Sequence, residues 1–102
     1  MVVDLKANEL VLKAGDSNLS LEERNIDGKL ILTNQRVYFK TKDEHHSMFN
    51  LEILPSQIKE IIYFNTLKIF PNGINIILKE GKELRFKIGN RNAWGQALNR
   101  IY

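Results

Sequence analysis

Along most of this chain apolar and polar positions alternate with a period of two, the mark of strands with one buried and one wet face. Asn8 to Ala14 reads as a first strand, with Leu10 and Leu12 alternating against Val11 and Lys13. Gly15 to Asp27 is polar, anchored only by Leu19, Leu21 and Ile26, and reads as a loop. Lys29 to Thr33 and Arg36 to Thr41 are β-rich runs joined by Asn34-Gln35, a connection that suits a tight hairpin because Asn tolerates positive φ. A polar loop, Lys42 to Ser47, leads to a strand from Met48 to Leu54, stopped by Pro55, which has no N–H to give to a ladder. Ile58 to Phe64 is a strongly apolar strand, continued by Leu67 to Phe70 after a kink at Asn65-Thr66. Pro71-Asn72-Gly73 has the composition of a turn, Ile74 to Lys79 of a strand, and Glu80-Gly81-Lys82 of a further turn. From Glu83 to Ile88 the alternation is clean, with Leu84, Phe86 and Ile88 on one face and Glu83, Arg85 and Lys87 on the other.

The period then changes. Trp94, Ala97, Leu98 and Ile101 fall at i, i+3, i+4 and i+7, one stripe of an amphipathic helix, with Asn90 or Asn92 as its N-cap. Gly95 inside that helix costs about 1 kcal/mol against Ala, so its place there implies close packing. About seven antiparallel strands with short turns must form a sandwich or barrel to cover their apolar faces. The expected fold is mainly β, two sheets closed by a C-terminal helix, and residues 1–102 read as one domain.

Composition narrows the function classes. Apolar residues make up 43% and charged residues 26% of the 102, too apolar for disorder. There is no cysteine, so neither a disulfide nor a thiolate metal site is open to the chain. The run Met1-Val2-Val3-Asp4-Leu5-Lys6 lacks the apolar stretch of a signal peptide, and no window approaches a transmembrane span. The expectation is a cytoplasmic protein, peripheral at a membrane if it meets one. Residues 1–80 carry 10 Lys/Arg against 11 Asp/Glu, whereas residues 81–102 carry Lys82, Arg85, Lys87, Arg91 and Arg100 against Glu83 alone. The basic end could face an anionic surface, and a solvated strand and helix face is the blander alternative.

The order of elements and two strings of residues resemble the pleckstrin-homology superfold, in its GRAM-like or bacterial PH-like branch. The first string is Gly28-Lys29-Leu30-Ile31-Leu32-Thr33-Asn34-Gln35-Arg36-Val37-Tyr38-Phe39. It is similar to the family hairpin Gly-x-Leu-x-Leu-Thr-x-x-Arg-hydrophobic-x-Phe. The second runs from Pro55 through Pro71-Asn72-Gly73-Ile74 and Phe86 to a helix tryptophan, Trp94. The resemblance implies a seven-stranded PH-like barrel and a binding role at an acidic lipid headgroup or a protein. Its usual lipid site does not carry over. Around the loops after the first and third strands, Lys13, Arg24, Lys29, Lys40 and Lys42 meet Asp16, Glu22, Glu23, Asp27, Asp43 and Glu44, and Ile31 stands where a further cation is wanted.

No constellation for catalysis stands out. Glu44-His45-His46 is the one cluster of potential metal ligands, and adjacent histidines on a loop diverge, so no metal and no cofactor is expected. There is no phosphate-binding glycine motif and no nucleophile motif, so the chain is read as a non-enzyme. Two partner classes remain level: an anionic membrane surface, met by Lys82, Arg85, Lys87, Arg91 and Arg100, and a protein, including a second copy of the chain. Single-stranded nucleic acid is a weaker third reading, resting on Tyr38 beside Lys40. Cations near a membrane contribute about 1 kcal/mol each. Three of them fall short of the ~4 kcal/mol of millimolar binding. Charge alone would not hold the protein on a bilayer.

Overall fold

The computed structural model of the chain describes residues 4–102; Met1, Val2 and Val3, part of the run read against a signal peptide, lie outside the described residues. Seven strands, β1 (Val11–Ser20), β2 (Asn25–Thr33), β3 (Val37–Thr41), β4 (Leu51–Ile53), β5 (Ile58–Thr66), β6 (Phe70–Leu78) and β7 (Glu83–Ile88), precede one helix, α1 (Arg91–Asn99). Every pairing is antiparallel, and the strands form one sheet in the order β4-β3-β2-β1-β7-β6-β5, curled into a half-barrel. The two layers expected from sequence are the two halves of this sheet. They join where β1 meets β7, a seam of three pairs: Ser17 with Ile88, Asn18 with Lys87 and Leu19 with Phe86.

Inside the curl, alternate residues of every strand meet. Leu30 and Leu32 of β2, Phe39 of β3, Ile74 and Ile76 of β6, and Phe86 of β7 are all at most 1% exposed. The Phe39 and Phe86 rings, from opposite halves, lie 5.5 Å apart in a tilted arrangement. α1 closes the open side with Trp94 and Leu98, as its stripe predicts, and Ile101 packs against the same core from just beyond the helix.

Four expectations need correction. The predicted loop from Gly15 is strand as far as Ser20, because Gly15, Ser17 and Leu19 face inward while Asp16 and Asn18 take the wet face. A polar stretch can be a strand when both neighbours supply ladders, and β1 is paired on both edges at the seam. The predicted strand from Met48 to Leu54 is shortened to the three residues of β4, because Met48 and Phe49 end a 3₁₀ segment, Glu44–Phe49, that occupies most of the predicted loop before it. Pro71-Asn72-Gly73 is no turn but lies inside β6, and the hairpin reverses earlier, at Leu67-Lys68. Pro71 costs no ladder bond to β7, since the β6–β7 pairing begins only at Gly73. Asn34 does not use positive φ. It clamps the N-terminal segment, accepting from the Leu10 N–H at 2.8 Å and donating to the Asn8 carbonyl at 3.1 Å.

Candidate functional site

The β5–β6 hairpin ends in a tip that the hydrophobic pattern does not explain. The Ile69 N–H donates to the Thr66 carbonyl at 3.2 Å, and the two central residues, Leu67 and Lys68, have φ of 50° and 65°. This left-handed pair matches the twist of a hairpin, and the residues that adopt it cheaply are Asn and Gly. An ordinary L-residue there costs roughly 1–2 kcal/mol. Leu67 makes no return on that cost by packing, being 81% exposed, with Ile69 at 71% and Phe70 at 49%. Below the tip, the Thr66 hydroxyl donates to Asn72 Oδ1 at 2.6 Å and ties the two strands together.

The first turn of α1 fastens this hairpin to the body. Arg91 Nη1 donates to the Phe64 carbonyl at 2.9 Å and to Asn65 Oδ1 at 3.1 Å, and the guanidinium lies 4.5 Å from the centre of the Tyr63 ring. Four residues on, Gly95 leaves the space that the Tyr63 phenol fills; a Cβ at 95 would collide with it. Tyr63 thus sits between Arg91 and Gly95, which explains the glycine within the helix. On the outer face Phe64 lies against Gly73, the residue opposite it in the ladder, with the Arg85 guanidinium 5.5 Å from its ring centre.

The five cations singled out from sequence do not form one cluster. Arg85 and Lys87 share the outer face of β7, and Arg91 follows its end at the base of the hairpin. Lys82 precedes the start of β7, so a strand of six residues, about 20 Å long, separates it from Arg91. Arg100 stands at the opposite end of α1, at its C-cap. Arg85 has Glu83 at 4.0 Å, whereas Lys87, Arg91 and Arg100 make no ion pair among the described residues. Lys87 also borders a shallow depression of about 280 Å³ with Asp16, Asn18, Lys42 and Asn72, mixed in charge. Lys68, Leu67, Ile69 and Phe70 escaped the sequence reading, which took them for continuing strand. A signal for them existed: residues 61–79 and 84–102 contain no carboxylate, so beyond Glu60 near the start of β5 every charge on the hairpin is positive, as is every charge on β7 after Glu83 and on α1.

A second polar cluster is structural. Arg36 donates from Nε to Glu9 Oε2 at 2.8 Å and from Nη1 to Glu52 Oε2 at 2.7 Å, and its guanidinium lies 5.0 Å from the centre of the Tyr38 ring. Glu9 also accepts from the Thr33 hydroxyl at 2.6 Å and the Lys6 N–H at 2.8 Å. These bonds, Arg36 first, hold the Glu9 carboxyl down at about 2, against an opposing push from burial. Glu52 is lowered as well, chiefly by Arg36 and then by Lys6. Each oxygen of Glu9 has its partners, so the cluster ties the N-terminal segment to the β2–β3 hairpin and offers nothing to a ligand. His45 and His46 lie in the 3₁₀ segment, whose N-cap, Asp43, accepts from the His45 N–H at 2.9 Å.

No family model and no curated protein matches this chain. Among solved structures, it is similar to the C-terminal domain of an unknown protein from Leishmania infantum, with a TM-score of 0.77 at 18% identity over 93% of this chain and 86% of that one. It is also similar to the N-terminal PH domain of Vps36, with a TM-score of 0.69 at 15% identity over 95% of this chain and 84% of that one. The fold is PH-like. Among the described residues no helix is long and apolar enough to cross a membrane.

Proposed function

We propose that the chain is a non-catalytic binding module, PH-like and of the GRAM kind, that is recruited to an acidic lipid surface. The observation that carries this reading is the distribution of charge around the β5–β6 hairpin. Lys68 stands in the carboxylate-free stretch 61–79 and Arg85, Lys87 and Arg91 in the carboxylate-free stretch 84–102, beside three exposed apolar side chains. Four cations near a bilayer contribute about 4 kcal/mol, on the threshold of millimolar binding. Complete burial of Leu67, Ile69 and Phe70 adds ~1.5 kcal/mol or more apiece. The sum then reaches the micromolar range that charge alone does not. The family's usual site between the first and third loops is self-neutralising, which leaves this end as the anionic-surface contact.

The test is co-sedimentation with vesicles of phosphatidylcholine and phosphatidylserine. Binding should fall as salt rises. Reversing Arg85 and Lys87 together should weaken it by about tenfold or more. Reversing Lys13 and Lys29 should change it little. Equal loss from both pairs would place the contact at the first and third loops instead.

A second reading has its own observation. β5 is a nine-residue strand at one border of the sheet, with Ile62 and Tyr63 more than 40% exposed, and it offers an unpaired edge to an extended peptide or a second copy of the chain. Proline at Lys59 would abolish such pairing and leave vesicle binding intact, which separates the two readings.

A further inference from the structure

We propose that the Thr66–Ile69 turn is a wedge that enters the headgroup–acyl boundary of an anionic bilayer, with Leu67, Ile69 and Phe70 among the lipid and Lys68 level with the phosphates. The inference rests on the reading that this end of the half-barrel faces an acidic lipid surface, and it names the part that goes in.

The backbone is the first argument. A chain selected for stability alone would place Asn-Gly in a left-handed two-residue turn. This one holds Leu and Lys there, at φ of 50° and 65°, with the leucine projecting into water. Strain kept without local compensation points to a use for the side chain that bears it. The second argument is shape. Leu67, Ile69 and Phe70 stand exposed together at a hairpin tip, and a bilayer accepts such a protrusion without a matching pocket. The third is charge. From Ile61 to Lys79 the sole charges are Lys68 and Lys79. A lysine between two apolar residues can bury its stem and keep its ammonium at the phosphate level. Stiffness is the fourth. The bonds from Arg91 to Phe64 and Asn65, and the Thr66–Asn72 bond, hold the hairpin upright on the body, so insertion forfeits little conformational entropy.

The chain has no cysteine, so a single one can carry a fluorophore. Leu67→Cys and Lys82→Cys, each labelled with an environment-sensitive nitrobenzoxadiazole, are mixed with phosphatidylcholine vesicles with and without phosphatidylserine. The probe at 67 should shift to the blue and be quenched by brominated acyl chains only when phosphatidylserine is present, and the probe at 82 should do neither. In parallel, Leu67→Asn in the unlabelled chain should raise the thermal midpoint, because Asn suits the turn, while weakening vesicle binding about tenfold. A rise in both, or binding unchanged by Leu67→Asn, overturns the wedge. So does a bound protein whose probe at 67 stays in water, and either result leaves lipid recruitment standing. If the unmodified chain binds no anionic vesicle, the wedge and the recruitment reading fall together, and the apolar tip belongs to a protein cleft.

Discussion

Arg36 is buried with two carboxylates within 2.8 Å of it, and its charge is tolerable there only because Glu9 and Glu52 accept its hydrogen bonds. Removing one partner of such a pair typically costs about 3–5 kcal/mol, so Arg36→Met should destabilise the domain on that scale in chemical denaturation, with m unchanged. Glu9 gives the pH dependence. Its carboxyl is lowered from 4.5 to about 2 in the folded chain, so the unfolded chain binds the proton first. The stability it contributes is therefore complete above 4.5 and disappears as pH falls toward 2. Glu9→Gln should flatten that acid limb while lowering stability near neutrality; an acid limb of unchanged slope would show that Glu9 does not carry it. Arg36 stacks on Tyr38 of the adjoining strand β3, and both of its ion-pair partners, Glu52 of β4 and Glu9, lie outside the β2–β3 hairpin. Glu9 was not foreseen as its partner. It comes from 27 residues away, a pairing no local pattern encodes.

Among the elements, α1 shows how a locally unfavourable residue serves packing. Helix propensity alone makes Gly95→Ala favourable by about 1 kcal/mol. Because the new Cβ would occupy the space of the Tyr63 phenol, the substitution should instead cost about 1–3 kcal/mol by overpacking. In a Tyr63→Ala background the same change should become neutral or stabilising, and a thermal-denaturation double-mutant cycle reads the difference. Additivity of the two would mean that Tyr63 does not rest on Gly95. The strand β7 and the stripe of α1 were legible because each has one face on the core, and burial imposes a strict period. The β5–β6 turn was not. Leu-Lys carries no turn chemistry, and Pro71-Asn72-Gly73 supplied a false signal a few residues on, where the end of the β6–β7 ladder makes a proline harmless. β1 was half missed because its polar residues belong to a strand whose apolar positions are filled partly by Gly15 and Ser17.

For the whole molecule, the fold class could be argued from alternation and the helical coda, whereas the tip of the hairpin could not, since exposed apolar residues look like core until the topology is known. Topology also has a kinetic consequence. The half-barrel consists of two meanders, each built from neighbours in sequence, β1 through β4 and β5 through β7, and joined by three pairs in which Ser17 donates to the Lys87 carbonyl from 70 residues away. Hairpins close in microseconds, while bringing distant segments together is slow and sets the rates of β-rich domains. Each meander can thus order itself before the two zip, and the register at the junction is the last thing fixed. Leu19, buried at that junction opposite Phe86, reports on the order of events. Leu19→Ala should cost about 2–5 kcal/mol, nearly all of it as faster escape from the native state with the refolding rate almost untouched. A slowed refolding limb in the chevron would instead make the junction the nucleus. If the zip is last to close it is also first to part, and the protein's lifetime in its folded form is set where three residue pairs and the core contact of Phe39 with Phe86 join the halves.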